Sequence, residues 1–139
     1  MYHTDLEELK RMAAGYDIVP VCREIFSDVR TPIAVMRALK HISSCCFLLE
    51  SAEGGKNWGR YSFLGFDPLL SVTCKNHEMT IKNSETRRFH TDDPAGEIRR
   101  ILQEYKSPRI PDLPPFTGGL VGYFAYEYMR YIEPKLDFA

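Results

Sequence analysis

Phe47-Leu48-Leu49-Glu50-Ser51, followed by Gly59-Arg60-Tyr61-Ser62, is the stretch from which the fold is read. A short apolar run bounded by turn residues is the mark of a buried strand. This one ends in a carboxylate and a hydroxyl, so it leaves a core for a polar surface. Gly54-Gly55 and Gly59 mark the connection to the next strand. Residues 61–66 and 69–75 continue as strands separated by Asp67-Pro68, and residues 79–82 form another before a polar turn at Asn83-Ser84. Four strands in a row on short connections predict an antiparallel meander.

Outward from this meander the sequence turns helical. Thr4 with Glu7 forms a capping box, Leu6, Leu9 and Met12 follow at helical spacing, and Gly15 suits a stop. Residues 17–26 alternate loosely through Ile18, Val21 and Ile25, and Pro20 restricts them to an edge strand. Thr31 caps a second helix with Pro32 in its first position and Val35, Leu39 and Ile42 on one face. Asp93-Pro94 opens a third by the same logic, with Ile98, Ile101, Leu102 and Tyr105 as its buried stripe. Pro108, Pro111, Pro114 and Pro115 keep residues 107–116 extended. Helices and strands come in runs rather than in strict alternation, so the fold class is α+β: an antiparallel meander with flanking helices in a single domain over residues 1–139.

The composition excludes several functions. With 18 basic and 19 acidic residues the net charge is −1, which gives no field to attract nucleic acid or anionic lipid. No apolar stretch approaches the roughly 20 residues that span a bilayer, and residues 1–10 are too polar for a signal peptide. Cys22, Cys45, Cys46 and Cys74 contain no C-x-x-C pair, which fits reduced thiols and a cytoplasmic location. His3, His41, His77 and His90 show no ligand spacing, so no metal is expected.

Two clusters could carry chemistry. Glu50, Ser51, Arg60 and Tyr61 offer an acid for an ammonium, and a hydroxyl and a guanidinium for a carboxylate, which is what a small zwitterion needs. A solvated hairpin end explains the same residues, and Glu50 alone fits a general base, an ammonium partner or an exposed side chain. Thr117-Gly118-Gly119-Leu120-Val121-Gly122-Tyr123-Phe124-Ala125-Tyr126-Glu127-Tyr128 has glycines that resemble a dinucleotide fingerprint only superficially. Its aromatic side chains, with Tyr131, suit a core or a subunit contact better. Trp58, the only tryptophan, reads as a residue covering the edge of the core.

Taken together, 47–52, then Gly59-Arg60-Tyr61-Ser62-Phe63-Leu64-Gly65 with Asp67-Pro68, and then Gly118-Gly119-Leu120-Val121-Gly122-Tyr123-Phe124-Ala125-Tyr126-Glu127 resemble the amino-terminal region of anthranilate synthase component I. The resemblance runs from about Ile18 to the carboxy terminus. It implies an enzyme of tryptophan biosynthesis, a lyase converting chorismate to anthranilate and pyruvate with ammonia and Mg2+. A partner glutamine amidotransferase subunit releases the ammonia from glutamine, and tryptophan acts as a feedback inhibitor. Carried across by motif, Leu49, Glu50 and Ser51 belong to the tryptophan effector site, with Arg60 and Tyr61 facing the same pocket. The family's catalytic, chorismate- and magnesium-binding residues lie beyond anything here after Glu133, so no catalytic residue is assigned and this stretch alone is expected to be inactive. The resemblance also implies that it is one part of a larger α/β sandwich, with an apolar face prone to self-association. The equivalent region of aminodeoxychorismate synthase and a free-standing amino-acid-binding or scaffold module are the alternatives.

Overall fold

A computed structural model describes residues 6–50, 61–111, 113–114, 116–133 and 135. The elements, in chain order, are α1 (Leu6–Met12), α2 (Pro32–Leu39), β1 (Cys46–Glu50), β2 (Ser62–Phe66), β3 (Ser71–Lys75), β4 (Glu78–Lys82), β5 (Thr86–His90), α3 (Pro94–Gln103) and α4 (Met129–Ile132). A single 3-10 turn at Tyr126–Tyr128 leads into α4. The arrangement is α+β with antiparallel sheets, as the strand runs predict. The chain divides into two compact units, one of residues 23–70 and the other of residues 2–22 and 71–139.

In the first unit β1 and β2 form a two-stranded ladder, with Cys46 opposite Phe66 and Glu50 opposite Ser62. Among the described residues these two strands pair only with each other. Ser43 closes one end of the ladder. Its hydroxyl donates to the Cys45 carbonyl at 3.0 Å and accepts the Asp67 N–H at 3.2 Å. Phe47 lies opposite Gly65, and its ring occupies the space that a β-carbon on residue 65 would need. Helix α2 packs against both strands. Thr31 caps it by accepting the Ala34 N–H at 3.2 Å, and Pro32 fills the first helical position, where a missing N–H leaves nothing unsatisfied. Val35 and Leu39 are partly buried, but Ile42 lies past the helix end and is exposed.

In the second unit β3, β4 and β5 form a three-stranded sheet in sequence order. The predicted continuous meander is therefore two sheets, interrupted between β2 and β3, where Asp67 takes a positive φ of 51° ahead of Pro68. A fifth strand, β5, joins it. Its sequence Thr-Arg-Arg-Phe-His buries only Phe89 in part, so no apolar alternation announces it. Apolar burial centres on Met79 in β4 and Ile101 in α3, with Pro94 at the start of α3 also buried. Asp93 caps α3 by accepting the Gly96 N–H at 2.9 Å. Leu102, expected on the buried stripe, is 44% exposed.

Residues 17–26 are irregular rather than an edge strand. Pro20 has no N–H to donate, and the N–H groups of Asp17 and Ile18 both go to the Lys106 carbonyl, at 2.9 and 3.1 Å. Residues 117–125 have no regular structure either. Gly118 and Gly119 hold φ values of 147° and 142°, a region open to glycine and closed to side chains.

Candidate functional site

The ladder's register brings together the ends of the two segments that open the sequence argument. Leu49 lies opposite Phe63 and Glu50 opposite Ser62. The Ser62 hydroxyl donates to Glu50 Oε1 at 3.3 Å. Tyr61 immediately precedes Ser62, and its ring lies 5.8 Å from that of Phe63. Leu49, Glu50 and Tyr61 thus occupy one end of one hairpin. Glu50 is exposed and Leu49 is 47% exposed, and as consecutive strand residues they project from opposite faces of the ladder, Leu49 with Phe63 and Glu50 with Ser62. Ser51 and Arg60, the other two residues expected here, lie outside the described residues, as does Trp58.

A second constellation sits in the other unit, and no spacing rule announces it. Asn76 and His77 are the two central residues of the β3–β4 hairpin, with φ values of 49° and 64°. Two consecutive positive φ angles make a type I′ turn. Glu78 pairs with His90 across β4 and β5, and the Thr91 N–H donates to the His77 carbonyl at 2.8 Å. This register carries residue 77 to the end of β5. His77 Nδ1 lies 2.7 Å from Asp92 Oδ1, and His90 Nε2 lies 3.4 Å from the same oxygen. The two imidazoles are stacked, with centroids 5.5 Å apart and planes inclined by 15°. His77, His90 and Asp92 are separated by 13 and 2 residues in the chain, a pattern that matches no linear motif. The one available signal was the polar turn at Asn83-Ser84, which fixes a pairing that sets 77 beside 91 and 92.

Tyr131 braces this turn from α4. Its Oη accepts the His77 N–H at 2.9 Å, its ring lies 4.8 Å from the His77 ring, and the Cys74 thiol is 3.7 Å from Oη. Burial raises the Tyr131 phenol above its ordinary pKa of 10.0. The His77 N–H opposes that shift, and Cys74 adds to it. The aromatic segment expected to pack a core is divided. Tyr128 lies between Phe124 and Tyr131, tilted against the first at 4.5 Å and stacked on the second at 5.7 Å, while Tyr123 is 90% exposed.

The chain is similar to proteins named anthranilate synthase component 1. It is 41% identical over 134 residues to that of Acetivibrio thermocellus, 44% over 139 residues to that of Acinetobacter calcoaceticus, and 37% over 133 residues to that of Aquifex aeolicus. The alignments cover 95–96% of this chain, which spans only 27% of the length of each relative. No family model matches the chain. No solved structure matches it.

Proposed function

From the premise that this chain corresponds to the amino-terminal region of anthranilate synthase component 1, we propose that it is the regulatory part of an enzyme that makes anthranilate and pyruvate from chorismate. The ammonia comes from glutamine through a partner amidotransferase component. The observation that carries this reading is the 41–44% identity to two of these relatives over 96% of the chain.

Within this reading, the end of the β1–β2 hairpin is half of a tryptophan site. Leu49 offers apolar contact, Glu50 and Ser51 offer acceptors for the ammonium, and Arg60 attracts the carboxylate, with Tyr61 on the same strand end. Residues outside this chain complete the pocket, so tryptophan binds one relative arrangement of the two parts better than another, which is what feedback inhibition requires. The reaction's Mg2+ would also be held elsewhere. The one three-ligand cluster among the described residues carries two imidazoles, whereas Mg2+ takes oxygen donors.

The test is Ser51→Ala in the intact enzyme, followed by anthranilate fluorescence with ammonia as nitrogen donor. Removing one hydrogen bond to a charged ligand group costs about 1.5–3 kcal/mol, or roughly ten- to a hundredfold in affinity. Inhibition by tryptophan should weaken by that factor while uninhibited turnover stays near its starting value. Inhibition at unchanged tryptophan concentrations would remove Ser51 from the site.

A further inference from the structure

We propose that His77, His90 and Asp92 form a binding site for a borderline divalent transition-metal cation such as Zn2+, Co2+ or Ni2+. One ligand atom from each side chain, two imidazole nitrogens and one carboxylate oxygen, lies within 4.8 Å of the other two. The chemistry selects the metal class. Imidazole suits zinc, cobalt, nickel and copper, while the hard ions Mg2+ and Ca2+ prefer oxygen. Metal–ligand bonds of about 2.0–2.2 Å put neighbouring ligands of a tetrahedral zinc roughly 3.4 Å apart. The His90–Asp92 edge already has that length, at 3.4 Å. The His77–Asp92 edge, at 2.7 Å, is a hydrogen bond that a cation replaces by taking the place of the shared proton.

The backbone holds the three ligands in this relation without the metal. His90 ends β5, and its pairing with Glu78 is fixed by the ladder. Thr91, which is buried, donates its N–H to the His77 carbonyl and accepts the Asp93 N–H at 3.1 Å through its hydroxyl. Asp92 sits between these two anchors, and Tyr131 clamps His77 from the other side. The turn's own chemistry points the same way. A type I′ turn favours Asn-Gly, and a histidine at the left-handed second position is disfavoured. His77 thus places an imidazole at a position where the backbone prefers glycine. The side chains remain open to an ion from solvent, with 45%, 72% and 79% exposure for His77, His90 and Asp92. Three protein ligands on a surface leave the remaining coordination positions to water.

The experiment titrates the chain with Zn2+ by calorimetry and with Co2+ by visible absorption, for the parent and for His90→Ala, His77→Gly, Asp92→Asn and, as a control, His41→Ala. The expected result is one equivalent of either ion, with nitrogen–oxygen d–d bands and no thiolate charge-transfer band. Affinity should fall at least tenfold in each of the three site variants and stay unchanged in His41→Ala. His77→Gly removes a ligand while giving the turn its preferred residue, and His90→Ala changes an exposed side chain, so far-UV circular dichroism of both should match the parent. The proposal is overturned if His90→Ala and His77→Gly bind Zn2+ as the parent does, or if cobalt reports thiolate ligation that alkylating the cysteines abolishes.

Discussion

His77 and Tyr131 show how much a single contact can organise. The His77 N–H at the tip of a hairpin finds its acceptor 54 residues along the chain, in the Tyr131 hydroxyl. Removing that hydroxyl leaves the donor without its partner, a loss of about 1 kcal/mol. Tyr131→Phe should therefore lower the unfolding free energy of the second unit by about 1 kcal/mol, read as a lower urea midpoint at unchanged slope. The same phenol sets an alkaline limit. Its pKa in the folded state is raised above the ordinary 10.0 by burial, so the folded form holds the proton more tightly than the unfolded form. That contribution is fully present below pH 10 and declines as pH rises past it. Stability measured from pH 9 upward should fall less steeply in Tyr131→Phe than in the parent, and parallel curves would remove the phenol as the cause. Side-chain roles at this scale were legible only where a local rule applies. Thr31 and Asp93 announce themselves as caps because a hydroxyl or carboxylate before a proline has one obvious use. His77, His90 and Asp92 do not, because what assembles them is the register of two strands.

At the scale of elements, helices were easier to foresee than strands. Helices α2 and α3 begin where their capping residues place them, since the signal lies within four consecutive residues. Strand β5 was missed because it is an edge strand bearing two arginines, whose exposure erases the alternation on which recognition depends. The expected strand at 17–26 failed for the opposite reason. Its apolar residues suggest alternation, but Val21, Ile25 and Phe26 are exposed and Pro20 denies the ladder a donor. Within the first unit, the pairing of Phe47 with Gly65 leaves no room for a side chain at residue 65. A β-carbon on residue 65 would overlap the Phe47 ring, and a phenyl ring between two strands cannot fold away as a flexible chain end does. Gly65→Ala should destabilise this unit by about 1–3 kcal/mol, the usual range for overpacking. Phe47→Leu, which makes room, should restore part of the loss in a double-mutant cycle. Additive effects of the two changes would show that the ring and residue 65 do not meet.

The whole molecule is defined by what it leaves uncovered. Among the described residues Met79 and Ile101 are the only large apolar side chains that are buried, while Phe26 is 97% and Val29 92% exposed. One fully buried side chain of this kind contributes about 1.5–3 kcal/mol, against a backbone ordering cost of roughly 1–2 kcal/mol for every residue fixed. Two such residues and a set of half-buried neighbours make a thin core, in keeping with a chain that spans 27% of its relatives' length. Produced by itself, this stretch should bind a hydrophobic dye and self-associate as its concentration rises. A monodisperse monomer by light scattering at high concentration, with no dye fluorescence, would mean that these surfaces need no cover. The candidate effector site divides along the same line. Leu49, Glu50 and Tyr61 were legible as a group because an apolar strand that ends in polar residues must surface somewhere. What they face was not legible, since the spacing of residues within one hairpin carries no information about what packs against its end.

The ladder of β1 and β2 has a consequence of its own. Two strands that pair only with each other leave an outer rim on either side, each a row of amide and carbonyl groups with no ladder partner among the described residues. Such a rim accepts any extended segment by main-chain bonding alone, whatever its side chains. The hairpin is thus a seam at which another stretch of polypeptide can be zipped on, the right one or the wrong one.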